Sequence, residues 1–123
     1  METIHSDNAP AALGPYSQAM RVRGLVYTSG QIGIDPAAGK ITGTNVKEQA
    51  EQVCKNLSAV LAAAGTDLTR VVKTTCFLAD MGDFAAFNEV YARYFTSKPA
   101  RSCVAAKELP VGALCEIEVI AEV

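Results

Sequence analysis

With 123 residues, half of them hydrophobic and a fifth charged, the chain has the size of one ordinary domain and a composition outside the disordered range. Eleven basic against thirteen acidic residues leave a net charge of −2, and the scattered basic residues form no footprint for a nucleic-acid backbone. No apolar run approaches the ~20 residues of a membrane span, and METIHSDNAPAALGPYSQ at the start lacks the basic and apolar regions of a secretory signal, so a soluble, cytoplasmic protein is expected.

Residues 18 to 34, QAMRVRGLVYTSGQIGI, break at Gly24 into two β-like runs. Met20 and Val22, then Val26 and Thr28, alternate with other residues as in a half-buried hairpin. DPAAGK at 35–40 is a turn cluster. From 46 to 64 the period changes: Val46, Ala50, Val53, Leu57, Val60, Leu61 and Ala64 recur at steps of three and four, the stripe of an amphipathic helix. Asn45 followed by Glu48 resembles a capping box, and Gly65 is the expected stop.

VVKTTCFL at 71–78 is rich in β-branched residues and reads as a strand. Asp83 then opens a second helical pattern with Phe84, Phe87, Val90, Tyr91, Tyr94 and Phe95 on one broad face. Pro99 ends it, because a residue before proline disfavours the helical region. The remainder, PARSCVAAKELPVGALCEIEVIAEV, reads as a strand, a Pro/Gly turn and a second strand, a closing hairpin. The sum is β-β-α-β-α-β-β: one α+β domain over residues 1–123, with a single sheet and two helices on one of its faces. In the last strand Cys115, Ile117, Val119 and Ala121 point to one side and Leu114, Glu116, Glu118 and Ile120 to the other. The second set mixes apolar and acidic residues, which suits a subunit interface better than open solvent.

Four cysteines, at 54, 76, 103 and 115, form no CxxC pair, and His5, the only histidine, lies in an N-terminal tail expected to be mobile. Neither a disulfide scaffold nor a zinc site is expected from that spacing. Cys103 as a nucleophile would need a nearby base, and no Cys-His-Asn pattern offers one. SGQIG at 29–33 lacks both the dinucleotide and the Walker spacing; its expected use is to expose backbone N–H groups at a strand end. Arg101 shares a strand face with Cys103 and could clamp a carboxylate with its planar fork, although an arginine after a proline also reads as a solvated surface residue. Glu116, between Cys115 and Ile117, could orient water and move a proton. On pattern alone it is equally an exposed strand residue or half of an interfacial ion pair, and Glu118 competes by parity.

At these residues the chain resembles a known family. PARSCVAAKELPVGALCEIEVIA, with APAALGPYSQA (9–19), TSGQIGIDPAAGKI (28–41) and the block from Asn56 to Phe95 in the same order, is similar to the reactive intermediate deaminases of the RidA or YjgF type. The resemblance implies a chorismate-mutase-like α+β fold with one mixed sheet, a homotrimer with sites at subunit interfaces, and no cofactor or metal. It implies hydrolysis of 2-imino acids, such as 2-iminopropanoate and 2-iminobutanoate released by pyridoxal-phosphate enzymes, to 2-oxo acids and ammonia. Arg101 then matches the carboxylate clamp, Cys103 the residue whose backbone carbonyl accepts from the imine nitrogen, and Glu116 the glutamate that positions water. Tyr16, Ser29, Gly30 and Asn88 match further pocket positions, with Tyr16 reaching a neighbouring chain's site. Phe87, Cys115 and the short TSKPARS approach depart from the pattern and bear on pocket size. The alternatives are a binding or regulatory module for 2-oxo acids and, with less support from the negative net charge, an endoribonuclease or translation inhibitor.

Overall fold

The computed structural model describes residues 1–123. In chain order the strands of the main sheet are β1 (Glu2–Ile4), β2 (Ala19–Val22), β3 (Leu25–Thr28), β6 (Val71–Leu78), β7 (Ala100–Ala105) and β8 (Cys115–Glu122). Two short strands, β4 (Ile34–Asp35) and β5 (Lys40–Ile41), pair separately around the expected 35–40 turn. The helices are α1 (Val46–Ala63) and α2 (Phe84–Tyr94). The sheet order is β1-β2-β3-β8-β6-β7, antiparallel except for the parallel β6–β7 pair. The expected α+β class, mixed sheet and helix-covered face are all present.

Local chemistry fixes α1 at both ends. Asn45 Oδ1 accepts from the Glu48 N–H at 2.9 Å, while Glu48 Oε1 accepts from the Thr44 N–H at 2.8 Å, one residue further back than in the simple capping box. Gly65 follows the last turn at φ 85°, where a side chain would be strained. Val53, Leu57, Val60 and Leu61 are fully buried against the sheet, each contributing about 1.5–3 kcal/mol of transfer free energy. The β2–β3 turn is Arg23-Gly24, both at positive φ, as a two-residue hairpin requires. Its register pairs Ala19 with Thr28 and Arg21 with Val26. Met20 and Val22 therefore share the face opposite Val26 and Thr28.

Three expectations need correction. The last two strands do not form a hairpin, because β6 lies between them. Helix α2 carries the chain over the sheet and sets β7 parallel on the outer side of β6, as a β-α-β crossover does. Residues 106–114 then return past β6, and β8 fills the slot between β3 and β6, completing two ladders. Second, Asp83 makes no side-chain cap to α2; a 3-10 turn at Met81–Asp83 precedes the helix, and Asp80 Oδ1 caps it by accepting from the Gly82 N–H at 2.7 Å. Third, the N-terminal segment is tied down: β1 pairs with β2, and the Gln18 amide accepts from the Ser6 N–H and donates to the Pro10 carbonyl.

The alternation in β8 is as expected. Cys115, Ile117, Val119 and Ala121 are buried beneath the helices, whereas Glu116 and Ile120 are half-buried and Glu118 exposed on the bare face. No helix is long and apolar enough to cross a membrane.

Candidate active site

Arg101 and Cys103 lie side by side on β7, in register with Thr74 and Cys76 of β6. Thr74 and Cys76 are buried on the helix side, so both β7 side chains point toward α2. There the Arg101 guanidinium is held from two directions. Its Nη1 donates to Asn88 Oδ1 at 2.7 Å, and its Cζ lies 4.7 Å from the Tyr91 ring centroid and 5.4 Å from that of Phe84. No carboxylate lies within ion-pair distance, since the four ion pairs of the chain all involve other cations. A half-buried cation that is oriented but unpaired is suited to an incoming anion.

At Cys103 the thiol and the backbone differ in what they offer. Burial pushes its thiol up from the ordinary value, only partly countered by the Arg101 charge. A thiol held in that form is a poor nucleophile. The Ala106 N–H donates to the Leu78 carbonyl at 2.9 Å, so even-numbered residues of β7 face β6 in the ladder. The N–H and C=O of Cys103 then point outward from the sheet edge, where a ligand can use them.

Glu116 sits opposite Phe77 in the β6–β8 ladder, on the bare face of the sheet. Partial burial, and secondarily the neighbouring Glu118, raises its carboxyl above the usual range. A cleft beside it is lined by Tyr16, Gly30, Gln31 and Pro110. Gly30 is the close approach: a Cβ there would lie 2.2 Å from Glu116 Oε2. This segment is held rigidly, because Gln31 exchanges two backbone hydrogen bonds with Ile117 at 2.9 and 3.1 Å and Asn56 Nδ2 donates to the Ile34 carbonyl at 2.8 Å. Ser29 donates its hydroxyl to the Ser17 carbonyl at 2.6 Å, which braces the loop carrying the exposed Tyr16.

The expected residues thus separate into two groups. Arg101, Cys103 and Asn88 meet between α2 and the edge of β7; Glu116, Gly30 and Tyr16 meet on the other face, with Ser29 as a brace beside them. One strand and the thickness of the sheet separate Arg101 from Glu116 within the chain. Parity along the last strand had sent Glu116 away from the core face; that Arg101 lies on the opposite, helix-covered side follows from the register of β7 with β6. Phe84 and Tyr91 escaped the sequence reading because they were assigned to the apolar core. The signal was present: Phe84, Asn88 and Tyr91 are spaced by four and three, which puts the amide between two rings on one helix face.

The Endoribonuclease L-PSP family model matches residues 6–123. The chain is similar to the RutC family protein y4sK of Sinorhizobium fredii, at 53% identity over 98% of this chain and 96% of that protein. It is also similar to the mouse 2-iminobutanoate/2-iminopropanoate deaminase, at 50% identity over 98% and 90% of the two chains. Among solved structures it superposes on Escherichia coli TdcF with bound serine at a TM-score of 0.95 and 38% identity, covering both chains fully. With a family match spanning both groups of residues and relatives half-identical over nearly their whole length, the chain belongs to the Endoribonuclease L-PSP family, the YjgF/RidA group that its motifs resemble.

Proposed function

We propose that this protein is an imine deaminase that hydrolyses 2-imino acids, including 2-iminopropanoate and 2-iminobutanoate, to 2-oxo acids and ammonia. The observation that carries the reading is the Arg101 fork, oriented by Asn88 and Tyr91 yet free of any carboxylate. The substrate carboxylate takes that fork bidentately. The imine N–H donates to the outward carbonyl of Cys103. Glu116 orients a water toward C2, takes one of its protons as the C–O bond forms and passes it to the nitrogen, then relays the hydroxyl proton of the resulting carbinolamine to the same nitrogen, so that ammonia leaves as the C2 carbonyl forms. A carboxyl raised by burial accepts that proton more readily than an ordinary glutamate. Free imines hydrolyse unaided in water, so general acid–base help of about 10²–10⁴-fold with positioning suffices.

The separation of the two groups supports a site shared between subunits of a cytoplasmic homotrimer: Arg101, Cys103 and Asn88 from one protomer, and Glu116, Gly30 and Tyr16 from its neighbour. Small 2-imino and 2-oxo acids are its ligands in this reading. Ribonuclease chemistry finds less support: the sole histidine pairs with Asp7 on the surface, away from Arg101.

The test is a coupled assay in which a dehydratase generates 2-iminobutanoate, semicarbazide traps it, and the protein suppresses the adduct. Arg101→Ala should lower kcat/KM by roughly 10²–10⁴-fold, from two charge-assisted hydrogen bonds worth about 1.5–3 kcal/mol each. Arg101→Lys should also be poor, and undiminished activity in Arg101→Ala would sink the clamp. Subunit sharing is tested by co-refolding Arg101→Ala with Glu116→Gln. An equal, randomly reassembled mixture should recover about a quarter of wild-type activity if the groups come from different chains, and none if they come from one.

A further inference from the structure

Beneath the Arg101 cleft lies a buried polar contact that the proposed chemistry does not use. Thr74 Oγ1 and Tyr91 Oη are 2.7 Å apart, and Thr74 is fully buried. Thr74 is also the direct register partner of Arg101 across the β6–β7 ladder. The hydroxyl therefore sits on the strand beside Arg101, while the ring it holds lies across the guanidinium, 4.7 Å from Cζ. That ring is further fixed by stacking on Phe95, with centroids 4.4 Å apart and planes inclined by 25°, and by Phe87 at 5.9 Å. In the core an unpaired hydroxyl is unfavourable, so the Thr74–Tyr91 bond acts as a fixed-length tie between α2 and the sheet at the level of Arg101.

We infer that Thr74 and Tyr91 are positioning residues for the carboxylate clamp: the hydroxyl pair sets the height and tilt of the Tyr91 ring, and the ring with Asn88 sets the plane of the Arg101 fork. The inference rests on the deaminase reading above. An arginine side chain has several rotatable bonds, and a carboxylate accepts two parallel N–H groups only when the fork lies in its plane. Asn88 restrains the fork through one in-plane donor, and Tyr91 restrains it perpendicular to that plane. Releasing the tie lets α2 shift against β6, and the fork loses its plane without losing its charge. Neither Thr74 nor Tyr91 need touch the reacting atoms, which in the shared site are served by Glu116 of the neighbouring protomer.

The distinguishing readout is a split between KM and kcat. Thr74→Val and Tyr91→Phe each remove one hydroxyl and preserve most of the packing. Each should raise KM for 2-iminobutanoate, and Kd for 2-oxobutanoate measured by calorimetry, by roughly three- to tenfold, with kcat within about twofold. The double variant should be little worse than either single one, because both remove the same bond. Thr74→Ser, which keeps the hydroxyl, should restore KM. If Thr74→Val does not fold, Tyr91→Phe carries the test, since it keeps the ring in place. KM and Kd matching the wild type in Tyr91→Phe, or kcat falling in parallel with a rise in KM, would overturn the inference. If the wild-type protein neither binds 2-oxobutanoate nor accelerates imine hydrolysis, the deaminase reading falls first and this inference with it. If it does both and the variants match it, only the inference falls.

Discussion

Replacing Gly30 by alanine displaces the Glu116 carboxylate while touching little else. An added Cβ would lie 2.2 Å from Oε2, 2.8 Å from Cδ and 3.1 Å from Cγ of Glu116, with no other heavy atom as close. Ordinary contact begins near 3.4 Å, so the carboxylate must retreat by about 1 Å, and a misplacement of that size costs on the order of 10²-fold in rate. The backbone at residue 30 is not left-handed, so alanine is conformationally acceptable there. Its reduced freedom in the unfolded chain contributes about 0.4–1 kcal/mol toward stability, against a similar cost for moving one half-exposed side chain. The expected variant is a folded protein of near-wild-type Tm whose kcat/KM in the semicarbazide-trap assay is about 10²-fold lower. Combined with Glu116→Gln it should lose little more than Glu116→Gln alone, since both act through one group. Wild-type kcat/KM in Gly30→Ala, or full additivity in the double variant, would refute the role given to Glu116.

Three further outcomes are expected. Cys103→Ala keeps the backbone carbonyl and should retain most of its kcat/KM; an inactive variant of native circular dichroism would return the thiol to the chemistry. Burial and Glu118 raise the folded-state pKa of Glu116, so the folded state binds that proton more tightly than the unfolded state, and wild-type stability is lost as pH rises from the ordinary glutamate value of about 4.3 toward the folded one. The Tm advantage of Glu116→Gln should accordingly widen from pH 4 to pH 7, and a flat difference would contradict the cause assigned. Val111 is β-branched, 78% exposed and held at φ 49°. Val111→Asn should relieve about 1 kcal/mol of left-handed strain, read as a Tm higher by a few degrees, and an unchanged or lower Tm would deny that the strain is stored there.

Features that depend on neighbours along the chain were legible in the sequence. The stripe, cap and stop of α1 lie within about twenty residues, and the structure places the helix almost where they do. Parity along β7 and β8 correctly joined Arg101 to Cys103 and separated Glu116 from the core. What failed was long-range: pairing of β7 with β6 rather than β8 depends on which sheet edges remain open after α2 crosses over, and no local pattern encodes that. The Asp80 cap was missed because a 3-10 turn displaces the helix start. Tyr91 was read as core for a sound reason, since its ring is 8% exposed. One aromatic face serves both the core and the arginine, and periodicity does not distinguish the two uses.

The position of β8 between β3 and β6 bears on how the protein is made. During synthesis, residues 115–122 leave the ribosome after every other strand, yet they are the seam of the sheet. Until they emerge, the β1-β2-β3 ribbon and the β6-β7 pair are separate pieces, each with an open backbone edge and an apolar face awaiting Ile117 and Val119. Folding of this chain is therefore completed only after translation of its last strand. A premature stop before residue 115 leaves two unjoined fragments rather than a trimmed domain, and such open edges invite chaperone binding or aggregation.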